Sequence, residues 1–283
     1  MSVVEKPKNI LLIIADQFRH DAFGAAGHPV VHTPNLDALA RDGAVFTNCF
    51  AQSAPCGPSR MCLYTGRYMC STRSVNNMTP LERAEDNIAV YFRERGHHAA
   101  ISGYNDYALD PALCAPDDPR RTRLDYDNFL PGFEVVLDHE HDSREYFDYL
   151  RAKGYPEAWC NHYAIHEPNV PPEGTGGHLP CVFPAKYLAE DSECRFHTSR
   201  VADYLDARPP APWFLSVNYI KPHGPLVCAA PYHAMYASAP MPPPTRRPQE
   251  LVDPHPYMRM ARRTPSLMDE RELHEYQAAY FGM

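Results

Sequence analysis

Asn9-Ile10-Leu11-Leu12-Ile13-Ile14-Ala15-Asp16-Gln17 is the stretch on which the fold class of this chain turns. An unbroken apolar run rich in isoleucine, ended at once by a carboxylate, reads as a central buried strand whose carboxyl end meets polar residues. The run is of strand length and far too short to span a membrane. Working outward, Thr33-Pro34-Asn35 starts a helix over 36–41 that stops at Gly43, and residues 44–50 alternate enough to form a second strand. Pro58 begins a helix running to about Gly66. Residues 81–95 form an amphipathic helix closed by Gly96, followed by a strand over 98–102. Further on come a helix over 195–207, a buried strand over 213–219 (WFLSVNY) and a helix over 269–281. Strand and helix alternate, so the expected fold is α/β, a central sheet with helices on both faces.

The chain has 283 residues, 44% of them hydrophobic, which suffices for one large domain or two small ones. A formal net charge of -8 gives no basic footprint for nucleic acid or for an anionic membrane surface. The 30 prolines are about twice the usual share. They gather in connections, notably 239–256, so long ordered loops around a site are expected. No internal repeat is visible. The opening MSVVEKPKNI lacks the apolar core of a signal peptide, and the nine cysteines contain no C-x-x-C pair. Together these features point to a reducing cytoplasm and free thiols. Eight of the cysteines read as small hydrophobes or surface bystanders. Cys56 is the exception.

Cys56 lies in Ala54-Pro55-Cys56-Gly57-Pro58-Ser59-Arg60, which continues as Met61-Cys62-Leu63-Tyr64-Thr65-Gly66-Arg67. Pro58 suits the first position of a helix, where its missing N–H costs nothing. Cys56 then sits just before a helix start, facing unpaired N–H groups and the positive dipole end. Such a place lowers a thiol's pKa and attracts anionic oxygens. Arg60, one turn in, can add a fixed charge at the same point.

The segment resembles the signature of sulfatases and phosphonate monoester hydrolases, C-x-P-S-R followed by L-x-T-G, within the alkaline phosphatase superfamily. Chance would match its first four fixed positions on the order of once in a few hundred such chains, so coincidence is a poor explanation. The resemblance implies an alkaline-phosphatase-like sheet. It also implies conversion of Cys56 to formylglycine by a formylglycine-generating enzyme, a change the printed sequence would not show. One hydroxyl of the hydrated aldehyde can attack sulfur or phosphorus, and the other can later expel the esterified oxygen. The expected substrate is a small anionic ester, held with a divalent cation.

For that cation the resemblance points to Asp16, Gln17 and the side chain at position 56. An oxygen-rich set of this kind suits Ca²⁺, Mg²⁺ or Mn²⁺. The variant Asp16-Gln17 followed by Arg19 looks closer to phosphonate monoester hydrolases than to most sulfatases. By the same resemblance Asn77 and Tyr104 contact the substrate's anionic group. His223, in Lys221-Pro222-His223-Gly224-Pro225 after a buried strand, contacts substrate or protonates the leaving group. Asp106 departs from the pattern, standing where a small hydroxyl residue is expected. The pair Asp117-Asp118 and the run His139-Glu140-His141-Asp142 match no family role and read as solvated surface.

The resemblance runs from Asn9 to Gly282 and covers only the first part of the family's usual length. The later Asp-His-Gly segment, which implies two further metal ligands, is absent, so 1–283 reads as an incomplete amino-terminal catalytic domain. The competing expectation is a non-catalytic remnant acting at most as a binding module. A phosphatase using an unmodified thiolate is disfavoured, because it would want C-x5-R and Arg60 lies four residues after Cys56. An oligomer remains open.

Overall fold

The computed structural model describes residues 8–118, 128–140, 143–244, 252–261 and 268–283. His141 and Asp142 of the acidic run, and part of the 239–256 loop, lie outside them. Its strands are β1 (Ile10–Ala15), β2 (His98–Gly103), β3 (Glu134–Asp138) and β4 (Trp213–Tyr219). Its α-helices are α1 (Pro34–Asp42), α2 (Cys56–Thr65), α3 (Met69–Thr72), α4 (Ile88–Arg93), α5 (Arg144–Ala152), α6 (His162–Ile165), α7 (Glu193–Asp206), α8 (Pro256–Ala261) and α9 (Glu270–Gly282). Among the described residues no helix is long and apolar enough to cross a membrane.

The chain divides into two compact units. The first comprises Met1–Phe18, Phe46–Ile165 and Tyr187–His223, and holds the whole described sheet. That sheet is parallel throughout, in the order β1-β4-β2-β3. Side-chain alternation along β2 and β4 divides two cores. Ile101 packs with Met61 and Tyr64 of α2 and with Leu81 and Leu130, while Ala99 and Phe214 meet Ala89 of α4. On the other face Ala100, Leu215 and Val217 pack against Val201 of α7. Helices therefore cover both faces, as expected. The second unit comprises Arg19–Val45, His166–Lys186 and Gly224–Met283. There Glu275 of α9 accepts from the Leu179 N–H at 2.9 Å and pairs with Arg271 at 2.8 Å.

Three expected elements need correction. β1 is not central: among the described strands it is an edge, with Leu11 47% and Ile13 58% exposed, so its apolar run is buried on one face only. Residues 44–50 form no strand. They are exposed throughout, and their alternating pattern finds no partner in the described sheet. The helix expected over 81–95 is only α4, because the Asn87 side chain accepts from the Ala89 and Val90 N–H groups and caps the helix there. Leu81 nevertheless sits in the core, held in turns rather than in a helix. The elements β3 and α5 are present beyond those expected from the sequence.

Candidate active site

α2 begins at Cys56, two residues ahead of the expected Pro58, with Pro55 as its N-cap and no side-chain cap of its own. The missing cap comes from outside. Gly57 N–H donates to Asn77 Oδ1 at 3.0 Å, and Asn77 Nδ2 donates to Cys56 Sγ at 3.1 Å. One amide thus closes an orphan donor of the helix start and fixes the side chain at position 56. A Cβ on Gly57 would lie 3.0 Å from Asn77 Oδ1, so a larger residue here would press on the amide that holds position 56.

Arg60 is buried one turn further in. Nη2 donates to Asp16 Oδ2 at 3.1 Å, and Nη1 donates to the Tyr104 carbonyl at 3.3 Å and to Asn218 Oδ1 at 3.2 Å. Its Nε stands 3.1 Å from Asp106 Oδ2 as an ion pair. The guanidinium lies over the Tyr104 ring, 3.9 Å from its centroid, and the Tyr104 hydroxyl donates to Asp16 Oδ2. Arg60 is therefore a fixed cation between two carboxylates, with four of its five N–H groups directed at partners. Burial pushes the Tyr104 phenol well above its ordinary value, which keeps it a donor.

The sheet supplies the rest of this support. Asn218 and Ser216 are fully buried on the face of β4 that meets α2. Tyr64 donates to Asn218 Oδ1 and accepts from Ser216, each at 2.9 Å, because its single proton goes to the amide oxygen. These two polar residues were missed in the sequence. Their signal was a pair two positions apart in WFLSVNY, hence on one face of the strand.

Cys56 corrects the expectation of a lowered pKa. Burial first, and then the Asp106 carboxylate, push its thiol up to about 11, although the Asn77 bond opposes this. The helix start is outweighed because Arg60 is already neutralised by Asp16 and Asp106. One ligand atom each from Asp16, Cys56 and Asp106, two carboxylate oxygens and a sulfur, lies within 4.8 Å of the other two, a spacing that suits a single ion.

Gln17 follows Asp16 in the left-handed region, φ 58°, with an exposed side chain. His223 is partly buried in the turn after β4, where its backbone N–H donates to the Ile220 carbonyl at 2.9 Å. That turn is anchored by Lys221, buried and 3.1 Å from Glu193 at the start of α7. His139 is a further correction. It is 2% exposed rather than solvated, with Nε2 3.5 Å from Glu193, because it follows the missed strand β3 into the core beside α7. Asp117 is exposed, as expected.

The sulfatase family pattern matches residues 8–279. The multifunctional alkaline phosphatase superfamily protein PehA of Trinickia caryophylli is 33% identical over 298 residues, covering 98% of this chain and 56% of that protein. The phosphonate monoester hydrolase structure from Agrobacterium radiobacter superposes with a TM-score of 0.85 at 33% identity, and that from Silicibacter pomeroyi with 0.85 at 32%. In both structures the match covers 98% of this chain and 56% of the relative, so the chain spans little more than half the length of these relatives.

Proposed function

The chain belongs to the sulfatase family, and from that membership we propose that it serves in a hydrolase of sulfate, phosphonate or phosphate esters. The observation that carries this reading is the Asn77 amide held between Gly57 and Cys56, which presents the side chain at position 56 at a helix start. In this reading Cys56 is converted to formylglycine by a formylglycine-generating enzyme. The converted residue supplies a hydroxyl nucleophile that needs no lowered thiol pKa, which accords with the raised value at Cys56.

Asp16, Gln17 and the position-56 side chain would hold a divalent cation, Ca²⁺, Mn²⁺ or Mg²⁺, which polarises an ester oxygen. The charge balance favours such an ion: Asp16 and Asp106 against Arg60 leave a net negative site, unsuited to an anionic ester without a further cation. Asn77 donates toward the reacting side chain. Tyr104 and Arg60 hold Asp16 in place. His223, at the carboxyl end of β4, is positioned as donor to the substrate or acid for the leaving group. A small anionic ester is the substrate class, and phosphonate esters rank first because two relatives of closely similar fold bear that name.

The test is turnover of an aryl sulfate and of an aryl phosphonate monoester by the protein co-expressed with the maturing enzyme and supplied with Mn²⁺. Hydrolysis that disappears in Cys56→Ala supports the reading. Equal rates in Cys56→Ala would remove position 56 from the mechanism.

A further inference from the structure

We propose that Asp106 is itself a ligand of the divalent cation, giving this chain a carboxylate donor from the end of β2 in addition to Asp16 and position 56. The inference rests on the cation of the reading above and adds a residue to it. Asp106 follows β2 in the left-handed region, φ 53°, and is 3% exposed. Neither of its carboxylate oxygens makes a hydrogen bond. Oδ2 is matched electrostatically by Arg60 Nε, whereas Oδ1 has no cationic partner, and the groups close enough to share a proton with the carboxyl are the Cys56 thiol and the Glu140 carboxyl. A buried carboxylate oxygen left in that condition costs several kcal/mol, so such an atom normally faces an ion or a proton.

Its surroundings favour the ion. Asp106 offers an oxygen within 4.8 Å of both Cys56 Sγ and an Asp16 oxygen, a spread that one cation with ligand distances of about 2.0–2.6 Å can bridge. Arg60 is shared between Asp16 and Asp106 and can neutralise only one of them. Burial raises the pKa of the Asp106 carboxyl, a cost that either a proton or a cation would relieve, and the Glu140 side chain just after β3 is near enough to share a hydrogen with it. A hard divalent cation balances this set while Arg60 keeps its contact with Oδ2.

The experiment measures Mn²⁺ binding by the loss of free-ion EPR signal, with no substrate present. It compares the full chain with Asp106→Ala, Asp106→Asn, Asp16→Ala and the exposed control Asp117→Ala, each checked for folding by thermal melting. The proposal expects Asp106→Ala to weaken Mn²⁺ affinity at least about tenfold, Asp106→Asn to weaken it too, and Asp117→Ala to leave it unchanged. Asp106→Asn keeps the side-chain shape and decides the matter if the alanine variant does not fold. Unchanged or tighter binding in Asp106→Asn, with binding lost in Asp16→Ala, would overturn the proposal and leave the cation reading standing. No Mn²⁺ binding by the unaltered chain would overturn both.

Discussion

With the Asp16 and Asp106 carboxyls on one side and the Asn77 amide on the other, an unconverted Cys56 stays protonated at neutral pH. Nucleophilic work at this position then falls to a converted side chain, and Asn77 orients it. Asn77→Ala removes that donor and leaves the Gly57 N–H without its acceptor. It should lower kcat/KM for an aryl ester about ten- to a hundredfold, as expected for a hydrogen bond worth about 1.5–3 kcal/mol. Steady-state kinetics measures this directly. Arg60→Ala leaves two buried carboxylates facing each other and should cost about 3–5 kcal/mol of stability, read from urea unfolding. A loss below about 1 kcal/mol would mean that the carboxyls are already neutral. Much of the site was legible at this scale, because Cys56, Pro58, Ser59 and Arg60 sit in one contiguous motif. Asp106 was legible only as a departure from the family pattern, and its contact with Arg60 was not. Its part depends on a left-handed turn that brings it to Arg60 across 46 positions of sequence, counted from 106 minus 60, and no local spacing records that approach.

Among the elements, β4 matches its expected bounds because WFLSVNY is apolar, short and flanked by breakers. The helix over 81–95 was overextended because periodicity is blind to a cap in its middle, here Asn87. β3 was overlooked: Glu134-Val135-Val136-Leu137-Asp138 is short, and three of its five residues are exposed. At the end of β2, Gly103 has φ 101°, and a Cβ there would lie 2.1 Å from the Asn218 carbonyl oxygen. Gly103→Ala should therefore push β2 from β4 and cost more than about 3 kcal/mol, with loss of the α2 contacts to Asn218. Beside it, His197 of α7 is buried against Ser102, 2.7 Å from its hydroxyl. Burial first, and then neighbouring His139, lower its pKa to about 3. The unfolded chain takes up this proton below about pH 6.5 while the folded one stays neutral, so stability falls as pH falls, by about 1.4 kcal/mol per unit. Between pH 7.5 and 5.0 the loss from this group should be about 2 kcal/mol. His197→Gln should flatten that part of the pH dependence in urea titrations, and an unchanged slope would clear His197 of the effect.

At the scale of the whole molecule, every residue assigned to the site lies in the unit that carries the described sheet. The parallel order β1-β4-β2-β3 explains why residues distant in sequence converge. Asp16 follows β1, Tyr104 and Asp106 follow β2 and His223 follows β4, all at the carboxyl ends of strands running the same way. Fold class was readable from strand–helix alternation alone, whereas the edge position of β1 was not, since an apolar run does not say how many neighbours a strand has. The central claim is that position 56 works as a formylglycine rather than as a thiol. Peptide mass spectrometry across residues 54–60, after co-expression with a formylglycine-generating enzyme, tests it most directly. The account predicts the aldehyde, or its hydrate, at position 56 in the purified protein. An intact Cys56 thiol throughout, in protein that still hydrolyses the ester, would contradict it.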